Sequence, residues 1–370
     1  MQNCDVLIVG GGPAGSSCAW RLRQHGLAVT VLDKAPFPRH KVCAGWITPA
    51  VVQALQLDTA AYARKRVLQP ITAFRTGLIH GGELETQYPA AVSYGIRRCE
   101  FDDYLLQRSG AHTLLGQALN TVEKRGRLWI VNDAIATPLL VGAGGHFCPV
   151  ARLLGAKLGA GEAALTAKEI EFEMSPAQRA DCRVRADTPE LYFCRDFKGY
   201  GWCFRKGDYL NIGLGREGNQ GLAEQLADFC EFLRERGRIP GNIPDRFQGH
   251  AYLQYGHSRR KLLDDGVLLV GDAAGLAYPE SGEGIRPAVE SGLMAATAIV
   301  EAAGDYSRQK LQAYAGRLTA RLGSRAAPAG AIAPEFVRNI LAGALLSSRW
   351  FTRRVVLDRW FLHAHQPALQ

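Results

Sequence analysis

Asp5-Val-Leu-Ile-Val9, running into Gly10-Gly-Gly12-Pro-Ala-Gly15 and later into Ala28-Val-Thr-Val-Leu32 with Asp33 at its end, is the stretch that decides the fold. Residues 5–9 are almost wholly apolar and rich in β-branched side chains, which predicts a strand buried on both faces of a parallel sheet. The glycines turn the chain. Ser16 to His25 then carries Cys18, Ala19 and Leu22 at helical spacing and stops at Gly26, where a left-handed cap residue belongs. Residues 28–32 read as a second buried strand. In such a unit Gly10 makes the tight turn, Gly12 lets the backbone approach a pyrophosphate, and Gly15 lets helix and strand pack closely, with Pro13 and Ala14 between them. The phosphates meet unpaired N–H groups at the helix N-terminus. Asp33, eighteen residues beyond Gly15, has the spacing of a carboxylate that bonds adenosine ribose hydroxyls, and Lys34 beside it joins the candidate contacts.

Composition bounds the rest. With 370 residues, 47% hydrophobic and 21% charged, the chain is long enough for two domains with sizeable cores, at roughly 100–200 residues each. Disorder is excluded. No run of ~18 apolar residues occurs, so no transmembrane helix is expected, and residues 1–10 do not read as a secretory leader. Nine scattered cysteines with no pair at Cys-x-x-Cys spacing predict free thiols in a reducing cytoplasm and no zinc site. His363 and His365, two apart, suit a surface better than a metal, so no metal is expected. Nucleophile-elbow serine, His-Glu-x-x-His, phosphate-loop lysine and calcium-loop patterns are all missing. The formal charge is +9, and the segment from Arg317 onward holds eight arginines against Glu335 and Asp358. A basic end can meet nucleic acid, an anionic membrane or an acidic partner, and charge alone does not choose.

A dinucleotide turn serves NAD or FAD. A second glycine-rich junction decides between them. Val267-Leu-Leu-Val270 reads as another buried strand, followed by Gly271-Asp272-Ala-Ala-Gly275, and Gly282-Glu283-Gly284-Ile285 opens a long apolar helix through Ala303. A simple NAD domain has no need of it, whereas the far half of a flavin does.

These residues resemble the FAD-dependent family that includes p-hydroxybenzoate hydroxylase, the flavin halogenases and the geranylgeranyl reductases. The resemblance implies an α/β fold: a Rossmann-like FAD-binding domain of the GR2/PHBH type, an inserted antiparallel β-sheet substrate domain and a C-terminal helical tail. It implies that Gly271 and Asp272 meet the ribityl chain, and that Gly282, Glu283, Gly284 and Ile285 lie along the isoalloxazine. Backbone N–H groups at that helix start would stabilise negative charge on the reduced ring. Ile96-Arg-Arg98-Cys-Glu-Phe101-Asp102 is similar to the family's strand-then-helix element whose arginine reaches the flavin, which places that role on Arg98, with Arg97 the alternative. Leu139-Leu-Val-Gly142-Ala-Gly-Gly145 looks like a third cofactor motif. There Gly144 stands where most members have Asp, and the resemblance stops short of implying direct reduction by NADPH.

Within the family the likeness is to the geranylgeranyl reductase branch. Pro36-Phe-Pro38-Arg39-His-Lys41-Val-Cys43-Ala44-Gly45 is similar to a loop that places a cysteine beside the flavin, which adds Arg39, Lys41, Cys43, Ala44 and Gly45 to the candidate cofactor residues. Gly199-Tyr200-Gly-Trp202-Cys-Phe204-Arg-Lys206, ahead of Asn211-Ile-Gly213-Leu-Gly215, looks like the branch's substrate-sheet motif, with Arg205 in place of its usual Pro. Alternation on a strand puts Tyr200, Trp202 and Phe204 on one face, as a wall for an apolar substrate or as ordinary core. Cys43 is the catalytic candidate, as a proton donor or as a group that orients an alkene. A small buried hydrophobe is the other reading.

The implied activity is reduction of carbon–carbon double bonds in a hydrophobic, isoprenoid-like small molecule by hydride from reduced FAD. The alternatives are a flavin monooxygenase acting on an aromatic or polyketide-like substrate, and a flavin-bearing redox-sensing or partner-binding protein. The sequence leaves the electron donor open between NAD(P)H and a ferredoxin-like protein, and nucleic acid is not an expected partner. The FAD domain is expected at 1–66, 96–165 and 256–325, the substrate sheet at 67–95 and 166–255, and a helical segment at 326–370. In that last segment Phe336, Val337, Ile340, Leu341, Ala344 and Leu345 form one apolar face that Trp350, Phe351, Val355, Val356, Trp360 and Phe361 continue beside Arg338, Arg349, Arg353, Arg354 and Arg359. Such a segment suits a lid, core packing or peripheral membrane contact of a cytoplasmic protein.

Overall fold

The computed structural model describes residues 1–157, 162, 164–218, 220–325 and 343–369. The chain divides into two compact units, residues 1–40, 99–163 and 252–328 in the first and 41–98, 164–251 and 329–370 in the second.

The first unit is built on a six-stranded sheet in the order Leu263–Asp264, Val267–Leu269, Leu139–Gly142, Val6–Val9, Val29–Asp33, His112–Leu115. All pairings are parallel except that of the first strand. Val6, Leu7 and Ile8 are wholly buried, as a strand covered on both faces requires. Helix Pro13–Gln24 begins at Gly12 with proline in its first turn, where a missing N–H costs nothing, and Gly26 at φ 81° ends it. Helix Ile285–Ala302 is buried along nearly its whole length and stops at Ala303, itself left-handed at φ 48°. It lies on helix Pro13–Gln24 at Gly292, where a Cβ would come within 2.2 Å of the Ala14 carbonyl oxygen. Burial of Val289, Leu293 and Ile299 is worth about 1.5–3 kcal/mol each. A small four-stranded sheet, Gln2–Asn3, Ile135–Thr137, Leu128–Val131 and Val122–Arg125, completes the unit.

The second unit holds a seven-stranded sheet in the order Gln248–Leu253, Ala164–Glu173, Tyr209–Glu217, Gly199–Lys206, Glu190–Phe193, Ala73–Leu78, Glu83–Gln87. It is predominantly antiparallel, with one parallel pair between Glu190–Phe193 and Ala73–Leu78. Alternation sorts its side chains. Cys203, Leu210, Ile212 and Leu214 form a core with Leu226, Phe229 and Phe232 of helix Leu222–Glu235, while the opposite face carries Tyr200, Trp202, Phe204 and Lys206.

Residues 41–66, expected with the nucleotide domain, cluster instead with the second unit. The reason is pairing: Trp46–Ile47 adds to Ser93–Ile96 in a three-stranded sheet, and the Trp46 ring packs 5.5 Å from Phe74 and 5.3 Å from Phe204. In the tail, Phe336, Val337, Arg338, Ile340 and Leu341 lie outside the described residues. Helix Arg349–Phe351 and a π-type helix Thr352–Phe361 follow. The expected single apolar face is not what forms: Val356 and Phe361 are buried, Phe361 lying 5.2 Å from Tyr200, whereas Trp350 is 69% exposed. No helix among the described residues is long and apolar enough to cross a membrane.

Candidate active site

At the first glycine turn two of the three glycines are demanded by the protein itself. Gly10 has φ 116°, and a Cβ there would lie 2.4 Å from the Ala143 carbonyl oxygen. A Cβ on Gly15 would meet the Gly10 carbonyl oxygen at 1.9 Å. Gly12 is different. Its backbone is extended, and the one protein atom near its Cβ position is the Arg39 guanidinium at 3.4 Å. Space over Gly12, backed by helix N–H groups and a cation, fits the approach of a pyrophosphate. Arg39 is itself steadied over the Phe37 ring at 4.8 Å and by Asp102 at 3.6 Å. Asp33 is buried and braces the turn, one carboxylate oxygen accepting from the Gly11 N–H at 2.8 Å and the other from the Ala35 N–H at 2.9 Å. Each oxygen keeps a lone pair for a further donor. Lys34 is exposed.

The second glycine turn comes close to the first. Gly271, at φ 58°, opens a short 3-10 turn, and a Cβ on it would lie 2.9 Å from the Ala14 Cβ. Asp272 points toward the other glycine segment, its Oδ1 being 3.3 Å from the Cβ position of Gly284, the N-cap of helix Ile285–Ala302. Gly282, at φ 68°, leaves no room for a side chain beside the Tyr252 hydroxyl at 2.5 Å. Glu283 accepts from the Arg286 N–H at 2.8 Å, and burial pushes its carboxyl up to about 7. Ile285 is buried behind it. One turn on, Arg286 is fully buried against Glu290 at 2.9 Å, which Arg321 also grips. Gly144, which follows Leu139–Gly142, is exposed. Two helix N-termini and two glycine turns in one unit thus fit a long diphosphate-linked cofactor.

The other candidates lie in the second unit. Cys43 is partly exposed, its sulfur receiving the Gly45 N–H at 3.4 Å. Gly45 has φ 71° and is confined by the Ile96 carbonyl oxygen, 2.4 Å from its Cβ position, and by the Lys206 ammonium at 2.6 Å. Ala44 is half-buried, and Lys41 contacts the imidazole of His250. Tyr200, Trp202 and Phe204 do share one face, with Tyr200 and Trp202 centroids 6.1 Å apart. Arg205, in the place of the branch's Pro, reaches back to the Gly207 carbonyl oxygen at 3.1 Å. Arg97 stacks 3.7 Å over the Tyr209 ring and pairs with Glu171, while Arg98 is buried as the first residue of helix Arg98–Arg108.

A polar cluster on the aromatic face escaped the sequence reading. Lys206 donates to Glu171 at 2.7 Å, and the Asn211 amide donates to Glu169 at 2.7 Å and to the Cys43 carbonyl oxygen at 3.1 Å. Burial opposes ionisation of Glu171, yet Lys206 and Arg97 hold its carboxyl below the ordinary range. The available signal was the alternation Glu169-Ile-Glu171-Phe-Glu173, which by itself reads as a solvated strand face.

Comparison with known proteins agrees with the flavin reading. Residues 5–96 match the model of the FAD dependent oxidoreductase family. The chain is 29% identical to a menaquinone reductase of Mycobacterium tuberculosis, covering 80% of this chain and 76% of that protein. It is 28% identical to digeranylgeranylglycerophospholipid reductase 3 of Methanosphaera stadtmanae, covering 88% and 85%. In fold it is similar to a geranylgeranyl bacteriochlorophyll reductase-like protein of Thermoplasma acidophilum, with a TM-score of 0.74, 22% identity, and 94% and 88% of the two chains covered. The cradle of glycine turns and these likenesses together make the chain an FAD-dependent oxidoreductase with FAD as its cofactor, similar to reductases of geranylgeranyl compounds.

Proposed function

We propose that the protein reduces carbon–carbon double bonds of a hydrophobic, isoprenoid-like substrate, the first unit holding FAD and the second the substrate. The observation that carries this reading is the face of the second unit on which the rings of Tyr200, Trp202, Phe204, Trp46 and Phe361 pack with centroids 5.2–6.1 Å apart, next to Asn211, whose amide bonds the Cys43 carbonyl oxygen. The names of the relatives support it, since several are reductases of isoprenoid compounds.

When bound, reduced FAD supplies a hydride to one alkene carbon. The chain's own task is the rest. An unactivated alkene offers no developing oxyanion to stabilise, so catalysis depends on positioning, on a proton for the second carbon and on exclusion of water. Flat aromatic side chains hold an apolar chain at low entropic cost, and the partly exposed Cys43 thiol is the group we assign to deliver the proton. Arg98 is assigned to the flavin and Lys41 to its loop. Either NAD(P)H or a ferredoxin-like protein serves as reductant in this reading. Exposed Trp350 beside Arg349, Arg353 and Arg354 supports docking on an anionic membrane, where such a substrate dissolves.

The test is anaerobic turnover of a polyprenyl substrate with chemically reduced enzyme, followed by mass spectrometry. Product heavier by two hydrogens per double bond is expected, with the rate lowered by about two orders of magnitude in Cys43→Ala. A product that forms only with oxygen and carries a new hydroxyl would overturn the reading in favour of a monooxygenase.

A further inference from the structure

We infer that Asn211 is a positioning residue: a single buried amide that fixes the Cys43 loop and the Trp202 indole relative to one another. Strand register explains why Asn211 can do this. Asn211 stands opposite Phe204 on one side and Glu171 on the other, so its side chain leaves the sheet on the aromatic face. Gly213, the next residue on that face, has no side chain, and the Trp202 ring occupies the space, 2.3 Å from where a Cβ would be. The ring therefore lies across the strand toward Asn211, and its Nε1–H donates to Asn211 Oδ1 at 2.7 Å.

The chemistry of an amide then sets its orientation. An indole N–H is a donor only and a carboxylate an acceptor only, so Oδ1 must face Trp202 and Nδ2 must face Glu169. Nδ2 has two hydrogens. Its two shortest contacts, Glu169 at 2.7 Å and the Cys43 carbonyl oxygen at 3.1 Å, take them, and Glu171 at 3.4 Å is third. Asn211 and Glu169 are each 1% exposed, so water does not substitute for a lost partner. The backbone of Cys43 is in this way tied to the aromatic wall through one side chain, while Lys206 presses under Gly45 from the same face.

Asn211→Asp is the discriminating variant. It keeps the shape and the bond from Trp202, but turns an oxygen toward Glu169 and the Cys43 carbonyl, and since a proton shared with Glu169 supplies one donor where the amide had two, the bond to the Cys43 carbonyl is lost. The measurement is alkylation of Cys43 by iodoacetamide in the FAD-loaded protein, followed by peptide mass spectrometry, with Cys99, the other cysteine that is not buried, as internal reference. About tenfold faster labelling of Cys43 is expected, with Cys99 unchanged and alkene turnover lowered mainly in kcat. Asn211→Ser, too short to span both partners, is expected to act in the same direction. Unchanged Cys43 labelling in whichever variant folds overturns the proposal. If neither folds, the Trp202 indole N–H of the unaltered protein decides, because exchange with solvent as fast as that of exposed Trp350 overturns it and slow exchange supports it.

The inference rests on the reading of Cys43 as the substrate-side thiol. Faster labelling in a protein that reduces no alkene overturns that reading alone. Unchanged labelling in one that does overturns the positioning role alone.

Discussion

The two units build their candidate sites from different material. In the first, the demand falls on the backbone: Gly10, Gly15 and Gly271 are glycines because a Cβ has nowhere to go, and Gly12 because space must stay open. In the second, the demand falls on side chains brought together by strand register, with Asn211, Glu169, Glu171 and Lys206 meeting only because three strands pair as they do. A backbone site depends on its glycines, for folding at Gly15 and for open space at Gly12, but is indifferent to much around it. A side-chain network can be altered one hydrogen bond at a time.

The sharpest break of this comparison lies within the first turn. Gly15→Ala forces a Cβ to 1.9 Å from the Gly10 carbonyl oxygen, with the Ala143 methyl 3.1 Å away and nothing flexible to yield, so a loss of about 4 kcal/mol or more, or failure to fold, is expected in thermal unfolding. Gly12→Ala meets only the end of the Arg39 side chain at 3.4 Å. That variant is expected to fold with its melting temperature in the absence of FAD nearly unchanged, while FAD affinity falls about 100-fold because the methyl group stands where phosphate belongs. Equal stability losses in the two variants would mean that Gly12 is structural and the space above it incidental.

A smaller effect sharpens the comparison at the second turn. Burial raises the carboxyl of Glu283 from 4.5 to about 7, so its contribution to stability is fully present below pH 4.5 and is lost as the pH rises to about 7. Glu283→Gln removes that dependence. Between pH 4.5 and 7 the wild-type protein is expected to lose about 2–3 kcal/mol relative to the variant, read as diverging melting temperatures. Parallel curves would contradict the raised carboxyl.

This division also explains what could be read from the chain. A turn that requires left-handed or tightly approached backbone leaves a glycine in the sequence, and so the strand at Val6–Val9, the helix to Gln24, Asp33 and the junction at Gly271 were legible locally. The aromatic face was legible because its alternation is local too. Residues 41–66 were not, since Trp46–Ile47 finds its partner strand nearly fifty residues away at Ser93–Ile96. Nor was the Asn211 cluster, because Glu169 and Glu171 on an alternating strand look the same whether the facing medium is water or a buried amide. The tail misled for a related reason: its apolar residues follow a helical period, but a π-type turn shifts the face after Thr352, burying Phe361 and leaving Trp350 outside.

We assign one FAD to the two glycine turns and the two helix N-termini. That assignment is checked by purifying the protein, recording its visible spectrum, and quantifying the nucleotide released on denaturation. The account predicts yellow protein that releases one FAD per chain. Colourless protein that takes up no FAD on titration would contradict it.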